Sequence, residues 1–428
     1  MDPYENLKET PYWLDPPPLN GSFAGKSLPE KTDVLIIGSG YTGMTAAIGL
    51  RQAGAHVALI DSMPLATAAS ARTGGQALTG LSEGVSVMKK TIGPEKLQRL
   101  FSESLEALNI VEHVVAEGKI DCFFTRCGHL EVAAKPSHFE RLKKEQETLF
   151  NQFDHRTILI PPENMEAEIG SRRYHGALLD PLSGGVHPGK YIAGLARMAN
   201  QCGVDLHERV EAKNIEVRNG RFLVKTDTGV VSAEQVVVAT NGYSGNLVPW
   251  LYRRVIPVES MIIATEELPP EIAKPLIPNG RMIFDTKNLL FYFRLSPDGK
   301  RLLFGGRLKS AKKSMRENAI FMRRNLLQVY PQLEQVGIEY AWSGNVAITW
   351  DRLPHIGRQN GIYYAMGYCG HGVALASYLG RKLSEMILGS GTPTVFADNT
   401  FTAIPFFRTM PWALPIITLY YSTLDRFA

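Results

Sequence analysis

Residues 32–61 read TDVLIIGSGYTGMTAAIGLRQAGAHVALID, and their reading decides the fold. Thr32 to Ile37 is a short β-branched, apolar run that leads straight into Gly38, Gly40 and Gly43 in G-x-G-x-x-G spacing, and an alanine-rich segment follows. The pattern predicts strand, tight turn, helix. Gly38 permits the turn, Gly40 lets backbone approach a pyrophosphate, and Gly43 lets helix and strand pack closely. The helix start at Tyr41 and Thr42 then turns free N–H groups and a partial positive charge toward phosphates. The helix is expected to stop at Gly54, and HVALI forms a second strand ending at Asp61, with Ser62 next. An acid at the end of this second strand accepts hydrogen bonds from the adenosine ribose. An acid there disfavours a 2′-phosphate, which leaves NAD or FAD.

Outward from that stretch, the 428 residues suggest two or three folding units. Hydrophobic residues at 44% and charged residues at 21% are ordinary for a folded soluble chain. The net charge of +4 comes without a basic run, so no nucleic-acid partner is expected. Cys122, Cys127, Cys202 and Cys369 form no CxxC pair or compact ligand spacing, so we expect no metal and a reducing, cytoplasmic setting. The proline-rich start lacks the apolar core of a secretory signal. The apolar stretch Trp412 to Tyr421 is too short to span a bilayer, so no transmembrane segment is expected. The run FFRTMPWALPIITLYY around it is expected to pack against the body of the protein.

The segment after Asp61 carries a further signal. Ala66 to Gln76, ATAASARTGGQ, exposes many backbone N–H groups and lets a flat ring approach the chain, although composition alone also fits an ordinary small-residue loop. Its core, Ser70-Ala71-Arg72-Thr73-Gly74-Gly75-Gln76, resembles the S-x-R-N-x-G segment of the D-amino acid oxidase and glycine oxidase superfamily, with Thr73 in place of the usual Asn. In that superfamily the segment lies along the pyrophosphate, ribityl chain and flavin. Arg173 to Asp180 with Gly184 to Pro188 resembles the start of the substrate-domain sheet. Arg209-Val210-Glu211 resembles the strand that meets adenine, and Val236 to Gly242, including Thr240, Asn241 and Gly242, resembles the return strand beside the nucleotide. Gly367 to Ala374, containing Gly370, His371, Gly372, Val373 and Ala374, resembles the loop and helix start that hold the flavin's pyrimidine edge. Together with Trp342-Ser343-Gly344-Asn345 and the terminal YYSTLDRF, these stretches are most similar to the branch of gamma-glutamylputrescine oxidoreductases.

The resemblance implies an α/β fold in which a Rossmann-like FAD-binding domain interleaves with an antiparallel-sheet substrate domain. We expect an N-terminal arm over 1–29, the FAD-binding domain over 30–85, 190–250 and 340–390, the substrate domain over 86–189 and 251–339, and a tail over 391–428. Val255 to Ala264, Leu289 to Leu295 and Arg301 to Gly306 read as strands, and Arg99 to Glu117 and Glu140 to Phe150 as helices.

The chemistry so implied is removal of a hydride from the carbon beside an amine nitrogen, giving an imine that water hydrolyses to an aldehyde and an amine or ammonia. A dry, aromatic-walled pocket favours the neutral amine this step needs. Tyr292, Trp342 and Tyr368 are candidates for that wall, equally readable as ordinary core. His371 reads as a contact to the flavin's O2 edge, an aid to amine deprotonation or a loop-ordering hydrogen bond, and Gln76 as a hydrogen bond near the ring. The positions where glycine oxidase clamps an α-carboxylate with arginines fall near Val346 and Gly370, so an amine without an adjacent carboxylate is expected. Arg72, Arg294 and Arg352 remain candidates for a distant anion, although surface or flavin-phosphate roles suit them as well. Sarcosine oxidase-like relatives place an oxygen-assisting lysine where Arg301 to Gly306 offers none inward, so O2 and another electron acceptor both stay open. No cysteine lies near Trp342, the place where those relatives tether their flavin, and non-covalent FAD is expected. A nicotinamide dehydrogenase and an FAD-retaining subunit without turnover are the competing readings from other classes, and the oligomeric state stays open.

Overall fold

The computed structural model describes residues 2–19, 21, 23, 25, 27–308, 313–405, 423 and 425. The expectation for the tail over 406–422 lies outside the described residues. Among them no helix is long and apolar enough to cross a membrane.

Two large sheets organise the chain. In the first, the strands His355–Gln359, Ile362–Met366, Val230–Val238, Lys31–Ile37, Val57–Asp61 and Asp205–Glu208 lie in that order, and all neighbours after the first pair run parallel. Strands buried on both faces read as continuous apolar runs, as VLII and VALI do. Val34, Ile36 and Leu59 face a core shared with the helices Tyr41–Gln52, Pro188–Gln201 and Gly372–Leu388. Leu35, Ile37, Ala58 and Ile60 face a second core, closed by Phe222 and Val224 of the antiparallel strand Arg221–Thr226.

The second sheet runs Ile338–Ile348, Ile256–Thr265, Leu302–Arg307, Tyr292–Leu295, Met282–Asp285, His129–Val132, Ala177–Asp180, Ile158–Ile160. It is antiparallel except where Met282–Asp285 meets His129–Val132. The helix Met315–Val329 covers one face over Leu130, Ile283, Phe293 and Phe304.

Two expectations shift. Residues 340–348, expected with the nucleotide half, pair with Ile256–Thr265 in the second sheet, where the strand Ile338–Ile348 finds a continuous antiparallel partner. The helix Pro94–Glu117, placed with the substrate half, buries Leu97, Leu100 and Leu108 in the core of the nucleotide half. The N-terminal arm packs on the body of the protein: Lys8 bridges to Tyr340, and Trp13 is 1% exposed.

Helices Tyr41–Gln52 and Gly372–Leu388 cross where Gly380 has no side chain. A Cβ there would run into Thr45 Oγ1 and the Thr42 carbonyl. Gly380→Ala is therefore expected to cost about 1–3 kcal/mol through overpacking. The check is the thermal midpoint of the flavin-loaded protein, which should fall below the parent's.

Candidate functional site

The first strand, turn and helix arise as their residues dictate. Gly38 has φ +110°, a left-handed-side conformation that glycine adopts without strain, and a Cβ there would stand 2.7 Å from the Ala239 carbonyl. A Cβ at Gly43 would collide with the Gly38 carbonyl. The helix Tyr41–Gln52 starts at Gly40 with no side-chain cap, so its first N–H groups need an outside acceptor. Gly38, Gly40, Tyr41 and Thr42 line a cavity of about 1470 Å³.

That cavity is continuous. One end meets Asp61, Ser62 and Val210; its middle runs past Ser70, Arg72, Thr73, Gly74, Thr240 and Asn241; the other flank is Gly344, Gly370, His371, Gly372 and Val373. Asp61 accepts hydrogen bonds from Ser39 N (2.8 Å), Ser39 Oγ (2.7 Å) and Met63 N (2.9 Å), which orients its carboxylate at the cavity edge. Ser70 ties loop to helix, its Oγ accepting from Tyr41 N at 3.1 Å and its carbonyl from Tyr41 Oη at 2.6 Å. Asn241, with φ +45°, accepts from Gly367 N at 2.9 Å and so couples the return strand to the loop ahead of the helix Gly372–Leu388. Gly43, Ala71, Gly75, Gly242 and Ala374 stand behind this surface rather than on it. Their role is close packing: Gly242, for example, lies against Asn345, where a Cβ would stand 3.2 Å from that side chain.

The residues fit FAD. Two uncapped helix starts, at Gly40 and at His371, open onto the cavity and present positive dipole ends to a pyrophosphate and to an anionic flavin edge. The Nδ1 of His371 is buried without a partner, a donor or acceptor left for the ligand. Burial pushes His371 down to about 4, so the ring is neutral. At this volume the cavity exceeds the roughly 300–1,000 Å³ of a single small-molecule site, with room for cofactor and substrate together.

Above Gly74 sits Tyr292. A Cβ on Gly74 would stand 3.2 Å from its ring, and one on Gly305 would strike the ring, so both glycines make room for this aromatic wall. Its hydroxyl pairs with Ser260 Oγ at 2.9 Å. Tyr368 also lines the cavity, its hydroxyl 2.6 Å from Thr42 Oγ1. Trp342 does not line it: the indole is buried and its Nε1 donates to the Arg72 carbonyl at 3.0 Å, because inward positions of that strand pack on Trp13. Gln76 lines the cavity, and its amide nitrogen donates to the Ile283 carbonyl at 3.0 Å. Cys369 is a buried thiol that burial pushes up in pKa, beside Thr349 Oγ1 at 3.4 Å.

The arginines divide. Arg72 donates to the carbonyls of Thr67 (3.0 Å) and Ser343 (3.1 Å). Arg294 is buried and donates to Gly75, Val186 and Leu295 carbonyls. Both are thereby spent on backbone. Arg352 lines the mouth and pairs loosely with Glu83 at 3.9 Å.

Sequence reasoning missed Arg141, Arg307 and Glu131, all of which line the cavity. Only Glu131 carried a signal: a lone acid at the outward position of the apolar strand His129–Val132. Burial pushes its carboxyl up to about 7, against the pull of Arg141.

Several known proteins are similar to this chain. Residues 33–386 match the model of a family described as FAD dependent oxidoreductase. The chain is 36% identical to the probable oxidoreductase OrdL of Haemophilus influenzae over 366 residues, 84% of each chain. It is 32% identical to the gamma-glutamylputrescine oxidoreductase of Escherichia coli over 400 residues, 92% of this chain and 93% of that protein. Glycine oxidase from Geobacillus kaustophilus shares the fold with a TM-score of 0.73 at 20% identity, covering 87% of this chain and 99% of that one.

Two outcomes follow from the site. Gly40→Val fills the cradle beside Ser70 and blocks backbone approach, so purified protein should lose its flavin absorbance; retention at the parent's level would overturn the role of this turn. A raised carboxyl binds protons more tightly in the folded state, so its stabilising share is present at low pH and is lost as pH rises toward about 7. Glu131→Gln should therefore melt higher than the parent at pH 8, with the gap closing as the pH is lowered toward 5.

Proposed function

The chain belongs to the family of FAD-dependent oxidoreductases, and from that membership and the shape of its cavity we propose that it oxidises an amine carrying no carboxylate on the reacting carbon. The substrate class is a polyamine derivative such as a gamma-glutamylated amine, the kind of molecule named in its Escherichia coli relative. A C–N bond becomes an imine, water hydrolyses the imine to an aldehyde and an amine or ammonia, and O2 leaves as H2O2. Bound FAD supplies the two-electron acceptor for this chemistry.

One observation carries the reading. Arg294 is consumed by backbone carbonyls, Arg72 gives its Nε and one terminal nitrogen to them, and positions 346 and 370 are Val and Gly. No bidentate clamp for an α-carboxylate stands there. Tyr292 presents an aromatic wall there instead. Such a wall disfavours the ammonium form, so the neutral amine with its free lone pair is what binds against it. A neutral His371 with a pKa near 4 is a poor sink for an ammonium proton but a ready hydrogen-bond partner, so we assign it to the flavin's carbonyl edge. Gln76 takes a hydrogen-bonding role beside the ring. The cofactor is held without a covalent link, as the buried Cys369 thiol supports. Four free cysteines support a cytoplasmic setting.

A second reading, a dehydrogenase or N-demethylase passing electrons to another acceptor, is favoured by the strand Leu302–Arg307, which bears no lysine.

The test is anaerobic mixing with putrescine, gamma-glutamylputrescine, n-butylamine, glycine and D-alanine, followed by air. Bleaching of the flavin by the amines and not by the two amino acids is expected, with colour and peroxide returning on aeration. Bleaching by glycine or D-alanine alone would sink the proposal, and slow return of colour would favour the second reading.

A further inference from the structure

The substrate half of the cavity is roofed by one face of the second sheet. Register places Gly305, Tyr292, Phe284, Glu131 and Leu178 side by side in one row across five adjacent strands. Four members of the row are apolar, aromatic or glycine; the fifth is a carboxyl. The chain neighbours Leu130 and Val132 point the other way, into the core under the helix Met315–Val329.

Glu131 opens into the cavity and has no hydrogen bond or ion pair among the described residues. The other acids nearby are occupied. Glu145 accepts from the backbone of Val85 (2.5 Å) and Ser86 (3.2 Å), Asp285 pairs with Lys287 at 2.8 Å, and Glu259 accepts from Ser343 at 2.5 Å. From the helix packed opposite, Arg141 and Glu145 act on Glu131 with opposite signs, and neither neutralises it. A half-buried, poorly solvated carboxyl without a partner among the described residues costs stability, and a ligand that carries the missing charge recovers part of that cost.

Position says which part of the ligand arrives. Tyr292 lies against Gly74, in the loop that would hold the flavin, and the reacting carbon would then belong beneath it. Glu131 is two strands further on, about 10 Å away at the usual strand spacing. Phe284, its cross-strand neighbour, offers a ring face to a cation. Glu131 itself would repel an anion placed against it, and a neutral hydroxyl would leave the carboxylate uncompensated.

We propose that Glu131 is the specificity-determining residue of this cavity, binding a second cationic nitrogen that the substrate carries about 10 Å from the carbon being oxidised. The inference rests on the reading of the chain as an amine oxidoreductase. The substrate class is thus an amine with a remote ammonium, which either a diamine or an α-amino-acid head group can supply. In the second case the neighbouring carboxylate meets Arg141, whose guanidinium lines the same end of the cavity.

The experiment uses the flavin-loaded parent, Glu131→Gln, Glu131→Asp and Arg141→Met, each accepted only with its full flavin absorbance. Without oxygen, each is titrated with n-octylamine, 1,8-diaminooctane and gamma-glutamylputrescine while the flavin spectrum reports binding and reduction. The parent should bind the diamine more tightly than the monoamine by about tenfold or more, Glu131→Gln should bring that ratio near one, and Glu131→Asp should restore part of it. Arg141→Met should weaken the gamma-glutamyl arm more than the diamine arm if the amino-acid head is the source of the ammonium; equal weakening assigns it to the diamine. Equal affinities in the parent, or an unchanged ratio in Glu131→Gln, would overturn the role of Glu131 while leaving amine oxidation standing. A ratio that collapses in Glu131→Gln without flavin reduction by any amine would instead overturn amine oxidation and keep Glu131 as the cation site.

Discussion

Arg294 is buried with no carboxylate paired to it among the described residues and spends its guanidinium on carbonyls of three segments: Gly75 of the small-residue loop after Asp61, Val186 ahead of the helix Pro188–Gln201, and Leu295 of its own strand. Burial lowers it to about 10, still far above neutral pH, so it stays a cation and the carbonyl dipoles must satisfy it. The two halves of the protein are stitched at this point. The Trp13 indole donates to the Thr73 carbonyl at 2.8 Å and the Trp342 indole to the Arg72 carbonyl. The carbonyls of residues 72, 73 and 75 are thus held by an N-terminal segment and two strands of the second sheet. A loop of small residues becomes a fixed surface for a flat ring only because its carbonyls are anchored from behind.

The electrostatics of the cavity follow from the same enclosure. Helix starts at Gly40 and His371 bring positive dipole ends, burial keeps the His371 ring neutral, and Tyr292 adds an aromatic wall. Glu131 is the exception in an otherwise apolar row. A group that destabilises the empty protein and gains a partner from the ligand trades stability for selectivity.

The glycines of the first turn were legible because local geometry alone requires them: Gly38 for its positive φ, Gly43 for the carbonyl it must pass. The role of Trp342 was not, since an indole on a strand looks the same whether it walls a cavity or braces a loop, and only its Arg72 partner decides. Trp13 lay in a stretch whose proline-rich composition reads as an arm, yet it packs edge-on against Trp342 and fills the space beside Gly189. Residues 340–348 were misassigned for a related reason, because strand pairing across some 80 residues of chain leaves no local trace.

By itself the sequence determined the nucleotide turn and the parallel sheet around it, because backbone conformation and helix dipoles depend on neighbours in the chain, and the resemblance of the SARTGGQ and GHGVA stretches pointed to FAD as the cofactor. Tertiary structure alone decided which arginines are spent on backbone, which aromatics face the cavity, and that Glu131 stands unpaired in the row beside Phe284. Those outcomes depend on which strands pair and in what register, and hence on contacts between residues far apart in sequence.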